Sequence, residues 1–263
     1  MLDSQSKKKL MFLSVIIPVK FEDRIKRTTK RLLSCLRSLD VGYQKDNDYE
    51  IIVSDLDSDL KFVPEIKDIC SKFSNCKLIR HTGEKFWCRS RAINEGIKVA
   101  SGKYILSTDL DMIFSSNMVR IVRNNVAQKT FLQCHCKYVD KDFGDDVSLS
   151  MIPELEKNYH LSKDFTAGGF QCIDHHRLII HPFDESFKVW GADDSVMRDC
   201  LIEDGYALRW IDDQISMYHL WHKSYLDIIT QEEMSIKDIN LSMWFSKVWA
   251  YKAQKVHYKE LEI

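Results

Sequence analysis

Asp109 and Asp111, spaced i and i+2, end the run Lys103-Tyr104-Ile105-Leu106-Ser107-Thr108-Asp109-Leu110-Asp111. Hard carboxylate oxygens held side by side suit Mg²⁺ or Mn²⁺, and such ions keep open positions for substrate phosphates. The apolar Tyr-Ile-Leu core of the run reads as a strand buried on both faces. Side chains two apart on an extended backbone point the same way. Both carboxylates then face one ligand at the carboxyl edge of a parallel sheet, where open α/β sheets bind their ligands. The chemistry this implies is a metal-assisted reaction of a phosphate-bearing substrate. A pair of aspartates that merely caps a loop has the same pattern, so the surrounding residues must decide.

A second cluster is Trp190-Gly191-Ala192-Asp193-Asp194. Carboxylates in the first turn of a helix gain about 0.3–1 kcal/mol from its dipole, which is a sufficient structural reason for them. An aromatic platform beside adjacent carboxylates also suits a sugar, whose ring has apolar faces and hydroxyl edges. Asp55 ends another apolar run, Glu50 to Ser54, and either accepts a hydrogen bond from a base or ribose or caps the next turn. Lys20, Arg89 and Arg91 are cations for a phosphate or members of a solvated face, and a helix start near Arg89 would add its own pull on an anion. His219 and His222 flank Leu220-Trp221, and each is a ligand candidate or an ordinary histidine. Cys134-His135-Cys136 does not read as zinc: neighbours on a strand face opposite ways, and no second pair has structural-zinc spacing.

The elements that must position these residues alternate. After a polar leader at 1 to 9, Leu10 to Val19 is a buried strand closed by Pro18, and a helix of roughly Arg24 to Leu39 follows with Ile25, Leu32, Cys35, Leu36 and Leu39 on one face. Strand 50 to 54, helix Val63 to Phe73, strand Lys77 to Arg80 and helix Arg89 to Ala100 then lead into the Asp109 strand. Such an order implies a parallel sheet with right-handed crossovers. Helix Ser116 to Gln128 and strand Phe131 to Val139 extend it, and the poorly periodic stretch 140 to 165 reads as a mobile insertion or lid. A strand from Phe170 to about Ile173, a helix from Asp193 to Glu203, and short strands at Ala207 to Ile211 and Ser216 to His219 complete the pattern before an aromatic, lysine-rich helical tail.

At 263 residues and 44% hydrophobic content the chain can bury a full core, and nine glycines and four prolines leave little room for linkers. A net charge of −1 gives no electrostatic case for nucleic acid. The eight scattered cysteines and the absence of a secretory signal point to reduced thiols in the cytoplasm. No run approaches the roughly 20 apolar residues that span a bilayer, so any membrane contact is peripheral, at the inner face and through the C-terminal segment.

Taken in order, these segments resemble the GT-A glycosyltransferases of the large family 2 and its relatives, the β1,4-galactosyltransferases and bacterial chondroitin polymerase. The resemblance runs from about Leu13 to His219. Ser14-Val15-Ile16-Ile17-Pro18-Val19 looks like the opening strand, Glu50 to Asp55 like the second, and Arg89-Ser90-Arg91-Ala92-Ile93-Asn94-Glu95-Gly96 like the segment meeting the nucleotide diphosphate. Asp109-Leu110-Asp111 looks like the DxD motif, and Pro182-Phe183-Asp184-Glu185 with Trp190-Gly191-Ala192-Asp193-Asp194 like the family's "FDE…WGxED" segment. The resemblance implies an α/β GT-A (Rossmann-like) fold, a mostly parallel sheet flanked by helices with a C-terminal helical segment. Residues 1–222 would form the transferase domain, with a donor half at about 10–130 and an acceptor half at about 131–222, and 223–263 a helical extension. It implies an inverting transfer of a hexose or N-acetylhexosamine from a UDP-sugar to a glycan or lipid-linked hydroxyl, in bacterial surface polysaccharide synthesis. Asp194 would be the catalytic base; Asp111, His219 and Asp109 would serve Mn²⁺ or Mg²⁺, with His222 a rival to His219. Pro18, Lys20, Asp55, Arg89, Arg91, Asp109, Trp190, Gly191 and Asp193 would meet the nucleotide-sugar. Two other readings stand beside it: an aspartyl-phosphate phosphatase, which also uses Asp-x-Asp after a buried strand, and a catalytically silent binding module.

Overall fold

The computed structural model describes residues 11–24, 29–40, 48–161, 168–223 and 227–261. The polar leader at 1–9, the first helix before Thr29 and the end of the 140–165 insertion lie largely or wholly outside them.

Strand β1 (Met11–Val19), helix α1 (Thr29–Leu39), β2 (Tyr49–Leu56), α2 (Val63–Ser71), β3 (Cys76–His81), α3 (Arg89–Val99) and β4 (Gly102–Ser107) alternate as the pattern requires. β1 pairs in parallel with β2 on one side and β4 on the other, and β2 with β3. The continuous apolar run of β1 follows from burial on both faces. Val15, Ile17 and Val19 pack with Leu32 and Leu36 of α1, while Ile16 packs with Ile93 and Ile97 of α3. α3 can lie this close because residue 96 is glycine: a Cβ there would sit 2.6 Å from the Ile16 side chain. Pro18 is tolerated because β4 pairs only as far as Ile16, leaving Pro18 beside Ser54 of β2.

The later chain adds β5 (Met112–Phe114), α4 (Met118–Asn125), β6 (Thr130–Gln133), β7 (Cys136–Val139), α5 (Ile152–Leu155), β8 (Tyr159–Leu161), β9 (Gln171–Asp174), α6 (His175–Ile180), α7 (Asp193–Glu203), β10 (Ala207–Trp210), β11 (Met217–His219) and α8 (Gln231–Leu261). Among the described residues the large sheet has the order β10-β6-β9-β4-β1-β2-β3 and a small one the order β5-β11-β7-β8. β9 runs antiparallel to β4 and β6, so the large sheet is mostly, not wholly, parallel.

Two expectations change. The stretch Phe131 to Val139 is two strands in different sheets, parted at Cys134-His135, where the His135 N–H donates to Asp212 at 2.7 Å and its ring stacks on Trp210. The insertion is not a loose lid as far as Leu161: β8 pairs with β7, and Val147 and Leu155 are buried with Ile113, Tyr218 and Leu220. Its elements are three or four residues long, too short to show a period.

The C-terminal helix packs back on the domain. Met243, Trp244, Val248 and Tyr251 of α8 cover Phe187, Ala192, Val196 and Cys200. Among the described residues no helix is long and apolar enough to cross a membrane, and all eight cysteines are free.

Candidate active site

The strand order reverses between β1 and β4, and the crevice outside their carboxyl ends is where such sheets bind ligands. Beyond β4 the backbone does not stay extended. A turn closed by the Met112 N–H on the Asp109 carbonyl (3.3 Å) gives the two aspartates separate partners. Asp109, partly exposed, accepts from Arg89 Nε at 2.9 Å. Asp111 is buried beside two histidines.

Backbone pairing builds that second group. β5 and β11 pair antiparallel with Met112 opposite His219, and the Leu220 N–H donates to the Asp111 carbonyl at 2.9 Å. His219 Nε2 then lies 3.8 Å from one Asp111 oxygen and His222 Nε2 3.3 Å from the other. One ligand atom from each of Asp111, His219 and His222 lies within 4.8 Å of the rest. His222 Nδ1 is 2.8 Å from the Lys223 carbonyl, and in the tautomer with its proton on Nδ1 the Nε2 lone pair faces Asp111, as a metal ligand requires. The donors fit a divalent cation, and two imidazoles beside one carboxylate favour Mn²⁺ over Mg²⁺, which prefers oxygen alone. Both histidines, not one in place of the other, stand beside Asp111. Asp109 lies outside the group.

Arg89, the first residue of α3, ties the two aspartate clusters together. Besides Asp109 it reaches Asp193 at 3.3 Å and donates to the Gly168 carbonyl at 2.5 Å. Burial pulls its pKa down, but Asp109, Asp193 and Asp194 outweigh that and raise it. Asp194 has the opposite problem. Burial first, then Asp193, push its carboxyl up to about 6, against Arg89 and the Ser195 N–H, which donates to it at 2.8 Å. Gly168 lets the opposing loop close on this carboxylate, since a Cβ there would stand 2.8 Å from Asp194 Oδ2.

The segment delivering Asp193 and Asp194 is bent sharply. Val189, Gly191 and Ala192 have φ of 70°, 103° and 70°. For valine and alanine such angles cost on the order of 1–3 kcal/mol each and gather at functional sites. Between them Trp190 stands half exposed.

Residues 14–183 match the family model described as Glycosyl transferase family 2, well over half of the chain. The chain belongs to this family. The chain also shares its fold with solved structures. One is GalNAc-T7 with UDP, GalNAc and Mn²⁺, at a TM-score of 0.62, 14% identity, and coverage of 83% of this chain and 45% of that one. *S. aureus* TarS 1-349 with UDP-GlcNAc aligns at 0.56, 15% identity, and 86% and 64% coverage. The mannosyltransferase PcManGT of *Pyrobaculum calidifontis* with GDP-Man and Mn²⁺ aligns at 0.55, 15% identity, and 92% and 64% coverage. The chain thus spans less than two thirds of each, and at these identities the likeness is one of fold. No curated protein matches its sequence.

The remaining candidate residues are engaged with protein groups. Asp55 is fully buried, caps the following turn through the Ser58 N–H at 3.0 Å and pairs with Arg80. Lys20, at the end of β1, donates to the Glu84 carbonyl at 3.0 Å, and Arg91 pairs with the Glu84 carboxylate. Asn94 donates to the Phe183 carbonyl and the Glu185 carboxylate, and accepts from the Phe183 N–H. Glu84, Gly168 and Arg80 escaped the sequence reading because nothing in their spacing marks them.

Proposed function

We propose that the transferase moves a hexose or N-acetylhexosamine from a UDP-sugar to a hydroxyl of a glycan or lipid-linked acceptor, with inversion, in bacterial surface polysaccharide synthesis. The observation carrying this reading is the Arg89 bridge, which joins the Asp109 end of the donor crevice to the helix start bearing Asp194. A donor-side carboxylate and a group with the character of a base thereby share one site. On this reading residues 10–130 hold the donor, 131–222 the acceptor, and 223–263 form the extension.

Asp111, His219 and His222 would hold the cation, which when bound supplies a Lewis acid for the departing diphosphate. Trp190 offers a face to the sugar ring, and Asp193 a hydrogen-bond acceptor to its hydroxyls. Asp194 accepts the acceptor's proton as that oxygen attacks the anomeric carbon opposite the leaving group. Arg89 keeps Asp193 and Asp109 apart from Asp194 in role by pairing with both. The test is calorimetric titration with UDP, in Mn²⁺ and then in EDTA: binding in Mn²⁺ alone supports the donor assignment, and no binding in either overturns it.

A base whose pKa is about 6 predicts the acid limb of the rate profile. At saturating Mn²⁺, kcat/KM should rise about tenfold per pH unit below 6 and level off above it. Asp193→Asn removes a charge that raises the Asp194 pKa, so the limb should move to lower pH. A limb that stays in place would separate it from Asp194.

α8 leaves Phe245 and Trp249 outward, each 75% exposed, near Lys247 and Lys252. A lipid-linked acceptor would set this face on a membrane surface. Flotation with anionic vesicles should then carry the wild type and leave Phe245→Ser/Trp249→Ser behind; equal behaviour of both argues for a free glycan acceptor.

A further inference from the structure

The loop Lys188 to Ala192 presents Trp190 and starts the helix that bears Asp193 and Asp194, yet it holds three left-handed residues in four positions. Such a backbone persists only where its surroundings over-determine it. On one side the Val189 N–H donates to the Trp87 carbonyl at 2.7 Å, and the Val189 side chain is buried against Phe86, Ile228, Ile229 and Ile236. On the other side stands a residue from the far end of the chain.

Asn240, in the interior of α8 and 1% exposed, points its side-chain amide at the loop. Its Nδ2 donates to the Lys188 carbonyl at 2.5 Å and to the Trp190 carbonyl at 2.9 Å. An amide NH₂ has two donors, and here both are used on the carbonyls flanking the left-handed Val189. Oδ1 meets no partner among the described residues, so the donor side is what the position requires. Asparagine is a poor choice for a helix interior on propensity grounds. The helix carrying it is itself anchored at both ends of the contact. Glu233 in its first turn pairs with Arg24 at 2.6 Å, just beyond β1, and Trp244 Nε1 donates to Asp199 of α7 at 3.0 Å.

We propose that Asn240 is a positioning residue for the transfer reaction: it fixes the turn at Val189 and thereby sets where Trp190 and Asp194 stand. The family match ends at residue 183, so neither the loop nor α8 is covered by it. The proposal rests on reading Trp190 as the sugar platform and Asp194 as the base.

Asn240→Leu in the full chain retains volume and removes both donors. Hydrogen exchange should rise tenfold or more in the fragment spanning 186–192, with β1 to β4 unchanged. UDP affinity in Mn²⁺ should stay within twofold. With whichever of UDP-galactose, UDP-N-acetylgalactosamine, UDP-glucose and UDP-N-acetylglucosamine the wild type turns over, kcat should fall at least tenfold, and Asn240→Gln should recover part of it. Unchanged exchange at 186–192, an equal rise in every fragment, or wild-type kcat with a loosened loop would each overturn the proposal. Should the leucine variant not fold, Asn240→Ser, which retains one donor, should show the same local rise at smaller size, and a flat response there refutes the clamp. Asp194→Asn in parallel separates the two ideas: if it turns over normally, the reading of Asp194 fails, and exchange alone decides Asn240.

Discussion

Asp194→Asn should lower transfer by about 10²–10⁴-fold, the usual worth of general-base assistance, while leaving Mn²⁺-dependent UDP binding intact. The amide has the carboxylate's shape and still accepts the Ser195 N–H through Oδ1, so the helix start is preserved. What it lacks is a basic lone pair for the acceptor's proton. Stability gives an independent check on sign. Burial raises the Asp194 pKa from 3.8 to about 6, so its contribution to stability is fully present below 3.8 and lost as pH rises through 6. At pH 7.5 the asparagine variant should therefore melt above the wild type, and at pH 3.5 it should lose that advantage. A variant that is both less stable at neutral pH and fully active would refute the base and its burial together.

Asp111→Asn should do the reverse. Asp111 is the anionic donor in the group with His219 and His222, and its carboxylate faces both imidazoles. Changes to groups that merely support a ligand cost 10–100-fold in metal affinity, and loss of the ligand's charge costs at least that. Mn²⁺ titration followed by electron paramagnetic resonance should show that loss, and UDP affinity in Mn²⁺ should fall to the level seen in EDTA. Retained Mn²⁺-dependent UDP binding would remove Asp111 from the metal site. His219→Ala and His222→Ala should each weaken Mn²⁺ binding, since the geometry uses both rings. The two aspartate variants thus carry opposite signatures, one losing turnover with binding kept, the other losing binding first.

Much of this site could be read from local sequence because local physics made it. α7 begins at Asp193 and ends at Glu203, as its acidic first turn and the Asp204-Gly205 stop indicate, and α3 begins at Arg89. The buried runs of β1, β2 and β4 are apolar because both sheet faces are covered. What escaped was set by distant parts of the chain. Phe131 to Val139 looks like one strand, and only pairing with β10 and β11 divides it between two sheets. Asp109 and Asp111 look like neighbours on an extended backbone, and only the turn to β5 sends one to Arg89 and the other to the histidines. Arg89 also pairs with Asp193, more than a hundred residues away in sequence and beyond the reach of any local pattern. Asn240 had no motif at all.

The antiparallel β9 also sets a timetable for making the protein. Residues 171–174 insert between β4 and β6, satisfying the free edge of β4 at Tyr104 to Ser107. On the ribosome, at about 5–20 residues per second, β9 follows β4 by several seconds. During that interval an apolar strand carries an open row of backbone donors and acceptors in the middle of the future sheet, the kind of edge on which chains aggregate. The newly made chain is therefore open to misassembly at β4 until residues 171–174 have been translated and paired.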